Sequence, residues 1–217
     1  METPEAARTR TSVFITFEGI EAAGKSTLIA ALADDLRSSG VDVLVTREPG
    51  GTSLGDLIRR MVLAPGAVID PLAEALLMNA SRAQHVADVV GPALRAGTTV
   101  LCDRFFDATL AYQGYGRGLD VEMLLELCLI ATQRIAPDLT FLLDLAPEVS
   151  LARVQARGAS DRLEREDLAF HARVRAGYLE VARRFPGRVV VVDAALPAPE
   201  VAALARGIVA DRRTAKP

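Results

Sequence analysis

A run of eight residues near the start of the chain has the types and spacing needed to hold a triphosphate. In order they are Gly19, Ile20, Glu21, Ala22, Ala23, Gly24, Lys25 and Ser26, and Thr27 follows. Glycines allow backbone N–H groups to turn towards phosphate oxygens, and a helix that starts here adds a partial positive charge. In such a loop the lysine reaches the β- and γ-phosphates, and the serine hydroxyl is a ligand for Mg²⁺. We therefore predict that residues 19–27 bind ATP with Mg²⁺ and that Lys25 acts in phosphoryl transfer.

The elements on either side of this phosphate loop (residues 19–27) support the prediction. Val13–Glu18 is a short apolar run typical of a strand, and apolar residues recur at helical spacing from Ser26 to Ser38. This context distinguishes a phosphate loop from an ordinary glycine-bearing turn with a chance lysine. The sequence has no Asn-Lys-x-Asp motif, which argues against a guanine-nucleotide switch. A small kinase with its acceptor site on the same domain is the remaining interpretation.

Charged residues follow the next two predicted strands, at the sheet edge where an open α/β fold binds ligands. Arg47 and Glu48 come after the strand at Val41–Thr46, and Asp103 and Arg104 come after the strand at Thr98–Cys102. The planar guanidinium of Arg104 is suited to bridging two phosphates, because it binds oxygens in pairs. Asp103 is suited to holding Mg²⁺ or its waters. The alternative for each residue is a surface ion pair at a strand end.

Two later segments also have compositions that favour ligand contact. Residues 109–118, which include Thr109, Tyr112 and Gln113, combine tyrosines with glycines and arginines, and we expect a ligand-facing loop there. Arginines surround Gly158, and a glycine-hinged basic segment can close over ATP. We expect a lid at about residues 153–166. The alternative is a solvated helix face that pairs with Glu164 and Glu166.

The order of elements predicts an α/β chain with one domain over residues 12–217. Five nearly continuous apolar runs alternate with helical patterns, which favours a five-stranded parallel sheet covered by helices on both faces. Residues 1–11 are interpreted as a flexible leader. The predicted strands are Val13–Glu18, Val41–Thr46, Thr98–Cys102, Leu139–Leu145 and Arg188–Val192. The predicted helices are Ser26–Ser38, Leu54–Leu63, Leu72–Arg95, Met123–Ile135, one that starts at Pro147, Ala169–Phe185 and Glu200–Arg213.

Composition limits the classes of function. Of 217 residues, 50% are hydrophobic and 24% are charged, which suits a folded core and excludes a disordered chain. The net charge of −3 argues against a general nucleic-acid binder. No apolar run reaches the roughly 20 residues of a membrane span. Two cysteines without close spacing, Cys102 and Cys128, favour a reducing cytoplasm over a disulfide framework. His85 and His171 lie in no motif, and we interpret both as structural.

From about Ser12 to Arg206 the chain resembles the thymidylate kinase family. The resemblance is carried by residues 17–19 (Phe-Glu-Gly), 46–52 (Thr-Arg-Glu-Pro-Gly-Gly-Thr), 103–105 (Asp-Arg-Phe), 111–114 (Ala-Tyr-Gln-Gly), 116–118 (Gly-Arg-Gly), 137–140 (Pro-Asp-Leu-Thr) and 161–164 (Asp-Arg-Leu-Glu). It implies a P-loop NTPase fold and transfer of the γ-phosphoryl group of ATP to dTMP, which gives dTDP and ADP. It also implies a homodimer, for which the excess apolar residues at 72–90 and 124–130 provide a surface; a buried crossover helix is the alternative.

The resemblance also implies roles for individual residues. Arg104 contacts the acceptor phosphate and the transferred group, Arg82 hydrogen-bonds the thymine edge, and Tyr112 lies against the deoxyribose. Thr109 lies near the base, Arg47 and Glu48 shape the acceptor pocket, and Glu21 lies near the sugar and metal. The phosphate loop has no arginine at its variable positions, which resembles the bacterial subtype whose lid supplies a catalytic arginine. Arg157 and Arg162 are the candidates.

Three positions depart from the family pattern. Met78 replaces a phenylalanine that stacks on thymine, Ala108 replaces a serine, and Ala22 replaces a glycine of the phosphate loop. Methionine keeps a polarizable apolar surface but loses ring stacking. We expect Ala22 to keep a negative φ, since it carries a Cβ. The alternatives to a dTMP kinase are a kinase for another pyrimidine monophosphate or a deoxynucleoside, and an inactive ATP-binding module.

Overall fold

The computed structural model describes residues 12–158 and 161–214, so the predicted leader at residues 1–11 lies outside the described residues. Within them, five strands form one parallel sheet in the order β2-β3-β1-β4-β5. The strands are β1 (Phe14–Glu18), β2 (Val43–Arg47), β3 (Thr99–Asp103), β4 (Leu139–Asp144) and β5 (Val189–Asp193). The predicted five-stranded parallel sheet is confirmed. The second strand begins two residues later than predicted and includes Arg47.

Helices connect the strands. They are α1 (Lys25–Ser38), α2 (Ser53–Val62), α3 (Pro71–His85), α4 (Gly91–Arg95), α5 (Phe106–Thr109), α6 (Val121–Ala131), α7 (Pro147–Arg157), α8 (Leu168–Arg184) and α9 (Ala198–Thr214). A π-helical turn at Val86–Val90 joins α3 to α4 without a break, so the long helix predicted to end at Arg95 is observed. None of the helices in the described ranges has both the length and the apolar character required to span a membrane.

The sheet separates two apolar layers, as the nearly continuous apolar strands predict. Along β3, Leu101 packs into one layer while its neighbours Val100 and Cys102 pack into the other. The first layer also contains residues of α1 and α9, and the second contains residues of α3, α4 and α6. Both faces of the sheet are therefore covered, and its carboxyl edge remains available for ligands.

Two predictions of local structure are wrong. Residues 109–118 are not a loop, because α5 continues into a π-helical turn at Leu110–Gly116 that is mostly buried. Its glycines favour this packing: a Cβ at Gly116 would press on the ring of Phe170. Helix α6 ends at Ala131 rather than Ile135, since Gln133 and Arg134 have positive φ values of 52° and 62°.

Candidate active site

The phosphate loop joins β1 to α1 in a conformation that depends on glycine at two positions. Gly19 has a φ of 130°, and a Cβ there would collide with the carbonyl oxygen of Leu143 on β4. Gly24 has a φ of 93° and is the N-cap of α1. The buried Lys25 side chain folds back over the loop, where its Nζ donates to the carbonyl oxygens of Gly19 at 3.0 Å and Ile20 at 2.9 Å. Its ammonium group is therefore held at the loop by backbone carbonyls.

The expectation that Ala22 keeps a negative φ is wrong. Its φ is 53°, in the left-handed region that costs an L-residue with a Cβ about 1–2 kcal/mol. The turn that closes the loop imposes this conformation even though no glycine is present at the position. The carbonyl oxygen of Ala22 accepts a hydrogen bond from Nη1 of Arg153 on α7 at 3.2 Å. The strained turn is thus braced from outside the loop.

A cavity of about 380 Å³ lies at the carboxyl edge of the sheet. Ligand pockets for small molecules fall in this size range. Of the residues predicted to contact ligands, it is lined by Glu21, Ala22, Ala23, Gly24, Lys25, Ser26, Thr27, Arg47, Glu48, Met78, Arg82, Asp103, Arg104, Thr109, Tyr112, Gln113 and Arg157. Gly19, Ile20 and Arg162 are absent from the lining. The phosphate loop and the residues predicted to bind the acceptor therefore share one cavity.

Arg104 is held by partners from the phosphate loop and from α8. Its Nη1 donates to the carbonyl oxygen of Gly19 at 2.8 Å and to the hydroxyl of Tyr178 at 2.9 Å. Its Nη2 donates to Oε1 of Glu21 at 3.0 Å, and its guanidinium lies 5.1 Å from the centre of the Tyr112 ring. The backbone of Arg104 is also unusual, with a φ of 68°. The residue links the phosphate loop to the acceptor side of the cavity.

Burial and neighbouring charges shift two titrations at the phosphate loop. Burial, and after it the charge of Arg104, lowers the pKa of Lys25 to about 8. Burial alone raises the pKa of Glu21, but interactions with His171, Arg104 and Lys25 outweigh it and bring this pKa to about 2. Glu21 is therefore ionised at neutral pH, and it also accepts a 2.5 Å hydrogen bond from the hydroxyl of Tyr112. The loop presents closely spaced positive charges with one fixed carboxylate between them.

The far end of the cavity is organised around the buried Arg82. Its Nε donates to Oε2 of Glu48 at 2.8 Å, its Nη1 to Asn79 and Thr109, and its Nη2 to the carbonyl oxygen of Phe105. These bonds use four of the five N–H groups of a guanidinium and leave one on Nη2. Arg82 also lines the cavity, so this end of the cavity is bordered by a guanidinium that protein partners hold in place.

The donors near the phosphate loop fit a magnesium ion held mainly by its nucleotide. Ser26 is exposed to the cavity, and Oδ1 of Asp103 is a buried oxygen with no hydrogen-bond partner within residues 12–158 and 161–214. No group of three His, Cys, Asp or Glu side chains suited to a metal occurs in those residues. One hydroxyl and one carboxylate match Mg²⁺, which keeps several waters and takes its other ligands from phosphates.

The structure separates the two lid candidates. Arg157, at the end of α7, lines the cavity, is half exposed and pairs with Glu164. Arg162 instead pairs with the fully buried Glu74 and donates from Nε to the carbonyl oxygen of Val62 at 2.8 Å. Residues 159 and 160 of the predicted lid lie outside the described residues. Arg162 is therefore committed to protein partners, while Arg157 faces the nucleotide cavity.

Several residues that contact the site were not predicted to do so, although Glu18 lies in a segment that carries the family resemblance and His171 was interpreted as structural. Glu74 accepts a hydrogen bond from the side-chain amide of Gln113, which was predicted to bind a ligand. This amide is therefore turned partly towards the protein. His171 is fully buried with its Nδ1 3.5 Å from Oε2 of Glu21. Glu18 and Tyr178 contact each other beneath Arg104. Only Glu18 carried a signal, since it is a carboxylate inside an apolar strand; the others lie on helices far along the chain.

Arg59 also lines the cavity and was missed. Its Nη1 donates to the carbonyl oxygen of Pro49 at 3.0 Å, and burial together with the charge of Arg47 lowers its pKa. The neighbouring Arg47 is more exposed and pairs with Asp56 at 3.4 Å. In the sequence Arg59 is one of two consecutive arginines on an amphipathic helix, so nothing distinguished it from a solvated side chain.

A parallel sheet whose central strand β1 leads through the phosphate loop into α1 defines a P-loop fold. The sequence profile of the family described as thymidylate kinase matches residues 17–204. The chain is 58% identical to the thymidylate kinase of Thermomicrobium roseum over 193 residues, with 88% of this chain and 91% of that protein covered. It is 50% identical to that of Deinococcus radiodurans, with 92% and 97% covered.

Comparison with solved structures gives the same result. The crystal structure of thymidylate kinase from Ehrlichia chaffeensis matches with a TM-score of 0.75 and 34% identity, over 91% of this chain and 98% of that one. The chain belongs to the thymidylate kinase family. The P-loop NTPase fold predicted from the phosphate loop and the alternating elements is confirmed.

Proposed function

We propose that this protein transfers the γ-phosphoryl group of ATP to dTMP, producing dTDP and ADP. The observation that carries the proposal is that the phosphate loop, Arg104 and Arg82 line one cavity. A donor nucleotide binds at the phosphate loop, and an acceptor nucleotide binds with its base at Arg82. The phosphates of both nucleotides then meet at Arg104, between these two ends of the cavity. An acceptor phosphate is already an anionic nucleophile, so alignment and neutralisation of charge are the chemistry required of the protein.

At the donor end, the backbone of residues 19–27 and Lys25 hold the triphosphate. Mg²⁺, when bound with ATP, neutralises charge on the β- and γ-phosphates. Ser26 and Asp103 are the residues that would hold it. Lys25 leaves its bonds to the carbonyl oxygens of Gly19 and Ile20 for phosphate oxygens, which restores the charge that burial disfavours. Arg104 spans the acceptor phosphate and the transferred group.

At the acceptor end, the one remaining N–H of Arg82 selects a base with an acceptor atom opposite it. Thymine presents a carbonyl oxygen on this edge, whereas cytosine presents an amino group, which would leave the buried donor unpaired. A site built around such a hydrogen bond rejects the mismatched base strongly. Met78 packs on the base in place of an aromatic ring, Tyr112 lies against the sugar, and Thr109 borders the base. Glu48 supports this end by fixing Arg82.

At the lid, Arg157 supplies the positive charge that the phosphate loop lacks. It lines the cavity and its side chain is 54% exposed; within the described residues its ion pair is with Glu164, so it can turn towards the transferring phosphoryl group. Such an arginine contributes 10³-fold or more to turnover in related reactions. Arg162 holds the segment after the lid to α2 and α3 through Val62 and Glu74.

The protein acts as a homodimer in the cytoplasm, and its exposed apolar residues support the dimer. Leu72 and Leu76 on α3, and Met123 and Ile130 on α6, are at least 42% exposed. Apolar faces on neighbouring helices are typical of interfaces between identical subunits. Light scattering at micromolar concentration tests this; a monomer contradicts it. The two cysteines are free and buried, as suits a reducing compartment.

ADP release measured with a panel of acceptors tests the function. The panel contains dTMP, dUMP, dCMP, dAMP, dGMP and thymidine, each with ATP and Mg²⁺. We expect the highest kcat/KM with dTMP, at least about 100-fold lower values with dCMP, and no phosphorylation of thymidine. Lys25→Ala is the inactive control. Preference for another acceptor supports the alternative kinases, and ATP binding without ADP release from any acceptor supports an inactive binding module.

A further inference from the structure

A buried carboxyl group lies directly beneath Arg104. Glu18 is the last residue of β1 and is fully buried. Its Oε1 accepts from the backbone N–H of Phe105 at 2.7 Å, and its Oε2 accepts from the hydroxyl of Tyr178 at 2.9 Å. Phe105 follows Arg104 in the chain, and the Tyr178 hydroxyl accepts from the Arg104 guanidinium at 2.9 Å. One carboxyl group is therefore connected to both the backbone and the side chain of Arg104.

Arg104 needs such support because its backbone is unfavourable. A φ of 68° places it in the left-handed region, which a residue with a Cβ occupies at a cost of about 1–2 kcal/mol. Residues in such conformations persist only where the surroundings fix them. Here the N–H of Arg104 donates to the carbonyl oxygen of Phe17 at 3.0 Å, and the next N–H donates to Glu18. The end of β1 thus holds the turn that aims Arg104 at the cavity.

We infer that Glu18 and Tyr178 are positioning residues for phosphoryl transfer, which hold Arg104 in its reactive orientation from beneath the phosphate loop. Neither side chain lines the cavity, so each acts through Arg104. The inference rests on the proposed function, in which Arg104 bridges the two reacting phosphates. Tyr178 lies on α8, so this connection also ties the helix that follows the lid segment to the catalytic arginine.

Glu18 is held in its buried position by the hydrogen bonds that it accepts. Burial, and after it the charge of Asp107, raises its pKa to about 8, while the charge of Arg104 and the hydrogen bonds from Phe105 and Tyr178 act in the opposite direction. Both carboxyl oxygens accept hydrogen bonds, so the group fixes Arg104 through Tyr178 and the N–H of Phe105. The ionised Glu21 lies on the other side of the guanidinium, where it faces the cavity. Glu21 therefore contacts the Arg104 guanidinium directly, whereas Glu18 acts on Arg104 through Tyr178 and the N–H of Phe105.

Removal of the Tyr178 hydroxyl tests the inference with little change in packing. We expect Tyr178→Phe to lower kcat about ten-fold, the scale of a hydrogen bond to a charged group, with KM for ATP changed less than two-fold. Tyr115→Phe is the matched control. It removes a hydroxyl from a tyrosine that packs against Gly177, next to Tyr178, and lies outside the cavity lining, so kcat stays within two-fold of wild type.

A double-mutant cycle then asks whether Tyr178 acts through Arg104. In an Arg104→Ala background, Tyr178→Phe should change kcat less than two-fold, because the effects of substitutions at two interacting residues are not additive. Glu18→Gln, which keeps an acceptor for the Phe105 N–H, should retain more activity than Glu18→Ala. An equal loss of kcat from Tyr178→Phe in both backgrounds, or an unchanged kcat in the wild-type background, overturns the inference. The turnover of dTMP by the wild-type protein is measured in the same assay. If the wild-type protein turns over dTMP, such a result contradicts the role of Tyr178 and Glu18 and leaves the proposed function standing.

Discussion

Replacing Glu48 with alanine should destabilise the protein far more than any exposed change beside it. The carboxylate of Glu48 is 3% exposed and accepts from Nε of Arg82 at 2.8 Å, while its other oxygen lies 2.9 Å from Nδ1 of the fully buried His85. The Glu48→Ala protein keeps a buried guanidinium with no carboxylate partner. Breaking a buried ion pair by removing one partner costs about 3–5 kcal/mol. We expect a loss of this size in the free energy of unfolding.

The preceding residue provides a matched control. Arg47 pairs with Asp56 at 3.4 Å, but their side chains are 55% and 41% exposed. Exposed pairs contribute about 0–1 kcal/mol, since water screens them. A domain of this size loses about 2–4 °C of Tm for each kcal/mol. Glu48→Ala should therefore lower Tm by about 6–20 °C, and Arg47→Ala by no more than about 4 °C.

Urea denaturation and thermal melting, with KM for dTMP measured in parallel, check this prediction. Glu48→Ala should also raise KM for dTMP, because Arg82 loses the partner that fixes its orientation. Glu48→Gln keeps an acceptor but not the charge, and should fall between wild type and Glu48→Ala. A loss of less than about 1 kcal/mol for Glu48→Ala, no larger than the loss for Arg47→Ala, would refute the buried ion pair as the support of this end of the cavity.

Three further predictions concern the phosphate loop and the lid. Burial lowers the pKa of Lys25 to about 8, and the phosphates of bound ATP favour its charged form. ATP binding should therefore be accompanied by proton uptake at pH 9 and by almost none below pH 7. Calorimetry in buffers of different ionisation enthalpy measures this uptake, and equal uptake at both pH values contradicts the prediction. Arg157→Ala should lower kcat by about 10³-fold or more. Arg162→Ala removes one of the partners of the buried Glu74 and should mainly lower Tm. Steady-state kinetics and melting curves distinguish the two, and the reverse order refutes the assignment. Ala22→Gly removes the cost of a positive φ in the folded protein but raises the conformational entropy of the unfolded chain. The free energy of unfolding should therefore rise by less than about 1 kcal/mol. A clear decrease of this free energy in urea denaturation contradicts the prediction.

Local patterns in the sequence were sufficient to predict the sheet and the phosphate loop. The strands β1 and β4 are apolar and buried along nearly their whole length because both faces of a parallel sheet are covered there, so their composition reports their environment directly. The phosphate loop is one continuous segment whose residues act together, and Lys25, Ser26 and Asp103 all line the cavity as expected. The resemblance to thymidylate kinases predicted the family that the comparisons show. Strand order was not predictable, since it depends on crossovers between distant segments.

Predictions were weakest where a residue's conformation is decided by segments distant in the sequence. Residues 109–118 have a loop-like composition, yet α8 and α6 cover them and make them helical. Ala22 has a positive φ although it carries a Cβ, which its residue type does not predict. Arg162 has the same local signal as Arg157, and only its absence from the cavity lining and its contacts with Val62 and Glu74 separate the two.

The sequence by itself determined the phosphate-loop motif, the class of fold and the family, because these are carried by short segments whose residues are neighbours in the chain. Only the tertiary structure decided how Arg104 is held. Glu18 and Tyr178 are 160 positions apart, yet they meet beneath Arg104. The pKa of Glu18 is raised to about 8 because the folded protein removes it from water and places Asp107 nearby. Burial and proximity set such a pKa, and neither exists before the chain has folded.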